Sequence, residues 1–319
     1  MHFSPIKMHI PDGFLSTPVA LIGWALALIF VVIAIRQTRA QLGERQIPLL
    51  GVLAAFIFAA QAINFPVAAG TSGHLLGGAL AAIVLGPWAA TLIMTAVIAV
   101  QGLLFQDGGL LVMGWNILNM GVFTAFTGYL AYSMARRLTG DGPRARFASA
   151  FAGAWLSVMI GAIATSFELA ASGTSPLGLA LPAMAGVHAL IGLGEGLITG
   201  GALALLQVSR PEVLAAGEGA PGRRSAAFVI GGLGVSLLIA LLSPLASSSP
   251  DGLEYVAEQH GFLGRAMGPL YTLLPDYSVP FVRNAAMTTM AAVVLGTLFV
   301  FALAWLVGRS AVSPQPTVD

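Results

Sequence analysis

The stretch Leu75-Leu76-Gly77-Gly78-Ala79-Leu80-Ala81-Ala82-Ile83-Val84-Leu85-Gly86-Pro87 decides how this chain is threaded. It is apolar and uncharged, yet short. From Leu75 to Leu85 a helix rising 1.5 Å per residue would be about 16 Å long, against a hydrocarbon core of about 30 Å. Two readings compete: a crossing segment, or a re-entrant one that returns to the face it came from.

The rest of the chain leaves no doubt that a membrane is its solvent. Hydrophobic residues make up 57% of the 319 and charged residues 8%, where an ordinary soluble domain carries roughly 25% charge. The formal net charge of +1 points to no nucleic acid and no acidic partner. A ruler of roughly 20 apolar residues per helix marks nine candidate spans. They lie near 17–35, 47–64, 75–88, 89–105, 109–134, 147–169, 182–207, 226–246 and 287–308. The predicted class is an all-α polytopic membrane protein, with a seven-helix core bundle and two further C-terminal spans.

Basic residues choose between the two readings of the short segment. With the N-terminus outside and nine crossings, Arg36, Arg39, Arg45, Arg136, Arg137, Arg144, Arg146, Arg210, Arg223, Arg224 and Arg309 share the inner side. Lys7, Arg265 and Arg283 lie outside, so eleven of fourteen basic residues obey the positive-inside rule. Without the third crossing the later clusters would split between the faces, so the segment is expected to cross and the C-terminus to lie inside. The chain divides into a membrane domain over 1–208, a polar cytoplasmic linker over 209–224, and a segment over 225–319 whose two spans enclose an outer loop from Ala246 to Ala286. No secretory signal precedes the first span, and no internal repeat argues for an inverted-repeat transporter.

There is no cysteine, so thiolate sites and iron–sulfur clusters are excluded and a metal must be held by nitrogen or oxygen. The five histidines are the candidate ligands. His2 reads as a terminal residue and His260 as a solvated loop residue. His188 and Glu195 lie seven residues apart on one face of the seventh span; an intramembrane ionisable pair is functional by default. The glycines at 192, 196 and 200 mark the same helix as a close-packing surface, which makes a structural His–Glu bond an equal reading. His9, in Met8-His9-Ile10-Pro11-Asp12-Gly13-Phe14, precedes the first span. His74 closes the uncharged, small-residue loop between spans two and three, so both imidazoles fall at the outer face.

The strings MHIPDGFLS, AQAINFPVAAGTSGHLLGG, WNILNMG and HALIGLGEGLITGG resemble the CbiM/NikM family over residues 8 to about 208. These are the substrate-capture membrane subunits of energy-coupling-factor cobalt and nickel transporters. Pro250-Asp251-Gly252-Leu253-Glu254 resembles the signature of the CbiN-like PDGLE segment of the same systems. The resemblance implies a grip made by a free N-terminal amine, the next residue's amide and imidazole, and one loop histidine, which here are Met8, His9 and His74. Asn64, Thr71 and Ser72 would hold the His74 imidazole and the loop in place. Four nitrogens in a plane suit Ni(II), Cu(II) and low-spin Co(II). The amine ligand requires Met8 to be terminal. Translation from Met8, removal of residues 1–7, or substitution by Met1-His2 would each meet that need.

The resemblance implies a transported Co2+ or Ni2+, with cobalt the expected ion and cobalamin synthesis its destination. It also implies no permanently bound cofactor, a bacterial or archaeal cytoplasmic membrane, and partners in a CbiQ/NikQ-like scaffold and CbiO/NikO-like ATP-binding subunits. The chain itself has no GxxxxGK[ST] phosphate loop, no HExxH zinc motif and no nucleophile with a base, so it is read as no enzyme. A self-sufficient secondary transporter would have only Glu195 and Glu168 as intramembrane carboxylates for a coupling ion.

Overall fold

The computed structural model describes residues 9–43, 46–209 and 225–311. Met8 and nearly all of the linker, with Arg45, Arg210, Arg223 and Arg224, lie outside the described residues. The helices in order are α1 (Thr17–Gln41), α2 (Ile47–Gln61), α3 (Gly78–Leu85), α4 (Pro87–Val100), α5 (Met113–Ile117), α6 (Thr124–Thr139), α7 (Pro143–Ala171), α8 (Leu177–Ser209), α9 (Ser225–Leu241), α10 (Gly252–Gln259) and α11 (Ala285–Ala311). Long Ala/Leu/Ile/Val runs favour helix. Proline opens α1, α2, α4 and α7, where its missing N–H costs nothing and its fixed φ suits the first turn. Wider π turns extend α4 over Gln101–Phe105 and join α5 to α6 over Leu118–Phe123.

Packing follows the logic of a lipid solvent. The buried residues of α1 are Ala20, Gly23, Ala27, Ala34 and Thr38, while Leu21, Ile22, Leu28 and Ile29 face outward. Small residues let helices approach, and large apolar ones meet lipid. The glycine face of α8 works this way: a Cβ on Gly192, Gly196 or Gly200 would come within 2.8, 2.6 and 2.8 Å of Trp155, Phe151 and Phe147 of α7. The C-terminal helices clamp α2, with Gly232 of α9 against Val52 and Phe301 of α11 against Gly51.

The third segment differs from its expected form. Its helix is only the eight residues Gly78–Leu85, about 12 Å at 1.5 Å per residue, so it cannot span the core alone. Gly78 abuts Thr124, midway along the continuous α5–α6 rod. Ahead of it runs the irregular stretch 62–77, which includes a 3-10 turn over Ala68–Gly70 and the small antiparallel ladder β1 (Phe65–Pro66) and β2 (Ser72–Gly73). Residues 71–75 of that stretch are all buried, so protein covers this irregular backbone, as is required of such a segment among membrane helices. At the other end the segment reaches the basic face: Trp88 packs with Ala34, Leu92 and Ala311, beside Arg39, whose guanidinium donates to Ser310 O at 3.1 Å.

Candidate metal site

His9 and His74 meet at the opposite end, ring centroids 5.8 Å apart, and both are buried. His9 is positioned by a clamp on its neighbour: Ile10 N–H donates to Asn116 Oδ1 and Asn116 Nδ2 donates to Ile10 O, each at 3.1 Å. Asp12 then accepts from the N–H groups of Leu110, Leu111 and Val112, fastening the segment to the start of α5. Gly108, at φ +92°, lies where a Cβ would come 2.9 Å from His9 Cβ, so only glycine permits this approach.

Asp107 completes the setting of His9, with Oδ1 2.8 Å from Nδ1. Burial works to raise this carboxyl's pKa, but the His9 charge and hydrogen bonds from His9 and Tyr277 outweigh it and hold it below its ordinary value. The ionised carboxylate therefore accepts, and Nδ1 of His9 donates. Its Nε2 is buried with no hydrogen-bond partner among the described residues. His74 donates Nδ1–H to Leu75 O at 2.9 Å. A carbonyl can only accept, so the neutral ring carries its lone pair on Nε2. In both rings Nδ1 is thus the nitrogen committed to an acceptor.

A hydrogen-bonded chain runs from Asp107, the partner of His9, to the backbone of Leu76, two residues beyond His74. Tyr277 donates to Asp107 Oδ2 (2.7 Å), Gln101 to Tyr277 (3.4 Å) and to Gln61 Oε1 (2.9 Å), and Gln61 to Leu76 O (2.8 Å). Gln101 sits on the π turn of α4, and Tyr277 comes from the C-terminal segment. Burial first, and then Asp107, push the Tyr277 hydroxyl well above its ordinary range, so it stays a donor.

The residues expected to support His74 hold the loop instead of its ring. Thr71 donates to Ala68 O, and Asn64 to Ser72 Oγ at 3.4 Å. Ser72 donates its hydroxyl to Ser249 O (2.7 Å) and its N–H to Pro250 O (2.7 Å), tying the loop to the PDGLE stretch. The expected His188–Glu195 pair does not form either. His188 donates to Met184 O at 2.8 Å, while Glu195 accepts Leu76 N–H at 2.6 Å and Gly77 N–H at 2.9 Å. Two turns of helix separate them, and the exposed backbone behind His74 supplies Glu195 with better donors.

Inward of the two imidazoles lies a cavity of about 80 Å³, lined also by Asn119, Thr165, His188 and Asp251. Burial pushes the Asp251 carboxyl up to about 7, against the Glu254 N–H bond that works to lower it. Asp107, Asn116, Tyr277 and Asp251 were not singled out by sequence as site residues. Asn116 and Asp251 do fall inside the WNILNMG and PDGLE strings, but nothing local marks Asp107. An amide–imidazole chelate closes its ring through Nδ1, because Nε2 points away from the residue's own main chain. In this structure Asp107 holds that nitrogen, so such a chelate needs the His9 ring to turn.

Residues 9–213 match the family model described as the cobalt uptake substrate-specific transmembrane region, and residues 226–312 match the PDGLE domain. A protein of Archaeoglobus fulgidus named "Putative fused nickel transport protein NikMN" is 38% identical over 307 residues, covering 95% of this chain and 99% of that one. The fused nickel transport protein NikMN of Rhodobacter capsulatus is 30% identical, over 92% and 95% of the two chains. The cobalt transport protein CbiM of Sorangium cellulosum is 35% identical over 65% of this chain and 94% of its own. A crystal structure of a truncated transition metal transporter superposes with a TM-score of 0.57 at 31% identity, covering 63% of this chain and 99% of that one. Multi-pass architecture, family match and relatives agree: the chain belongs to the CbiM/NikM family of cobalt and nickel transport membrane proteins, with a CbiN-like PDGLE domain fused behind it.

Proposed function

We propose that this chain is the metal-capturing component of an importer in the cytoplasmic membrane of a bacterium or archaeon, taking up Ni2+ or Co2+ between His9 and His74 at the outer face. The observation that carries the reading is the pair of buried imidazoles 5.8 Å apart, each with Nδ1 committed to an acceptor. Carboxylate-oriented histidine is the usual way proteins ready an imidazole for a metal, and imidazole suits nickel and cobalt. Energy comes from separate ATP-binding subunits through a transmembrane scaffold, as the resemblance implies, with the basic end of the bundle facing the cytoplasm.

Nickel is favoured, because the relatives that match across nearly the full fused length are named as nickel transport proteins. Cobalt is the second reading, carried by the name of the family model and of the Sorangium relative. A grip that adds the Met8 amine and the His9 amide is the alternative ligand set on a chain beginning at Met8. Calorimetric titration of purified full-length protein with NiCl2 and CoCl2 tests the reading. Tight binding of one ion per chain, lost in His74→Ala, is expected; undiminished affinity in His74→Ala would remove the site from this loop.

A further inference from the structure

We propose that His188 is a second metal-binding nitrogen in the same cavity, a station that takes the ion in succession to His9. The location rests on the His9–His74 reading; the chemistry rests on His188 itself. Its Nδ1 donates to Met184 O at 2.8 Å, so the neutral ring carries its lone pair on Nε2, as His74 does. The ring lines the cavity that His9 and His74 line. It is held level with the metal loop by Ile191, one turn along α8. A Cβ on Gly73 or on Gly252 would come within 2.7 Å of that Ile191 side chain.

Gly252 of the PDGLE stretch lies close beside the Cε1–Nε2 edge of His188. A Cβ there would fall 2.8 Å from His188 Cε1 and 3.1 Å from Nε2. Any side chain at 252 would press on that edge and cover the nitrogen, while His188 as it stands lines the cavity. The adjacent Asp251 supplies the only carboxylate among the described residues that line this space, and it is buried. What sets His188 apart from a packed ring is the cavity it lines together with two other imidazoles and a carboxylate. Imidazole, carboxylate and water together suit a borderline first-row divalent cation. Among the described residues no three His, Asp or Glu side chains stand close enough to hold one ion together, so this station follows the outer one and does not merge with it.

The test is calorimetric titration of the full chain with NiCl2 in three forms: wild type, His9→Ala, and His9→Ala with His188→Asn. Asparagine keeps an N–H for Met184 O and removes the Cε1–Nε2 edge of the ring. His9→Ala is expected to bind about a hundredfold more weakly, at the upper end of what even outer partners of a metal ligand are worth. The double variant should lose at least about tenfold more. His9→Ala with Gly252→Ala should lose as much by covering Nε2, which guards against misfolding of the asparagine variant. Equal residual affinity with and without His188, or no residual binding in His9→Ala, overturns the proposal. Full affinity in His9→Ala would instead overturn the outer-site reading, and the loss on adding His188→Asn would still decide the role of His188.

Discussion

Nδ1 of His9 and Oδ1 of Asp107 lie 2.8 Å apart in a buried pair that joins residues 98 positions distant. The pair orients an imidazole that the short N-terminal segment could not orient by itself. It also commits the nitrogen that a main-chain chelate would use.

Asp107→Asn therefore separates two ways of holding the metal. Asparagine still accepts from Nδ1 but without charge, and loss of such a partner costs about 10–100-fold in metal affinity. That loss of Ni2+ affinity in a calorimetric titration is the expected outcome. Unchanged or tighter binding would mean that Nδ1 is the ligand and that Asp107 competes with the metal.

Glu195→Gln is expected to act on the loop behind His74. The carboxylate takes the N–H groups of Leu76 and Gly77, and glutamine can accept with one oxygen only while its amide faces a donor. A hydrogen bond to a charged group is worth about 1.5–3 kcal/mol, so the melting temperature in detergent should drop by several degrees. Ni2+ affinity should fall by less than about tenfold, short of the 10–100-fold that a partner of the ligating ring itself is worth, because the His74 ring keeps its own bond to Leu75 O. A loss as complete as that of His74→Ala would make Glu195 a direct partner of the metal.

Asp251 predicts a pH dependence of stability in the metal-free protein. Its folded-state value is raised from 3.8 to about 7, chiefly by burial, so the folded chain holds the proton more tightly than the unfolded one. Stability from this group therefore declines as pH rises from about 4 to about 7 and stays lower above that range. Asp251→Asn can still cap α10 through Glu254 N–H and cannot ionise. Melting followed across these pH values should show a flatter profile and a more stable variant at about pH 8; parallel profiles would count against a buried, proton-binding Asp251.

Gly78→Ala tests the packing of the short helix α3 against α6. A Cβ there would land on Thr124 Oγ1 and 2.6 Å from Met120 O. Overpacking of this kind costs about 1–3 kcal/mol, so the variant should melt several degrees lower. Gly231→Ala, on an exposed stretch of α9 where a Cβ meets nothing within 4 Å, should melt no lower than wild type, since alanine favours helix over glycine by about 0.5–1 kcal/mol. Equal behaviour of the two variants would mean that α3 does not pack on α6 as described.

The sequence by itself determined the membrane class, the apolar helices, and the family. Charge is too sparse for a soluble surface, apolar runs of bilayer length fall at regular spacing, and the strings around His9 and His74 are distinctive. It also gave the glycine face of α8, because spacing along one helix is a local property. Only the tertiary structure decided that the third apolar segment is helical over Gly78–Leu85 alone, that Glu195 serves the His74 loop and not His188, and that Ser72 is tied to the PDGLE stretch. It alone placed Asp107 on His9 and Tyr277 on Asp107. Periodicity records which face of an element is apolar; it carries no record of which distant donor a buried carboxylate will find. Those partners are chosen when packing removes water and each buried polar group must take a neighbour brought from elsewhere in the chain.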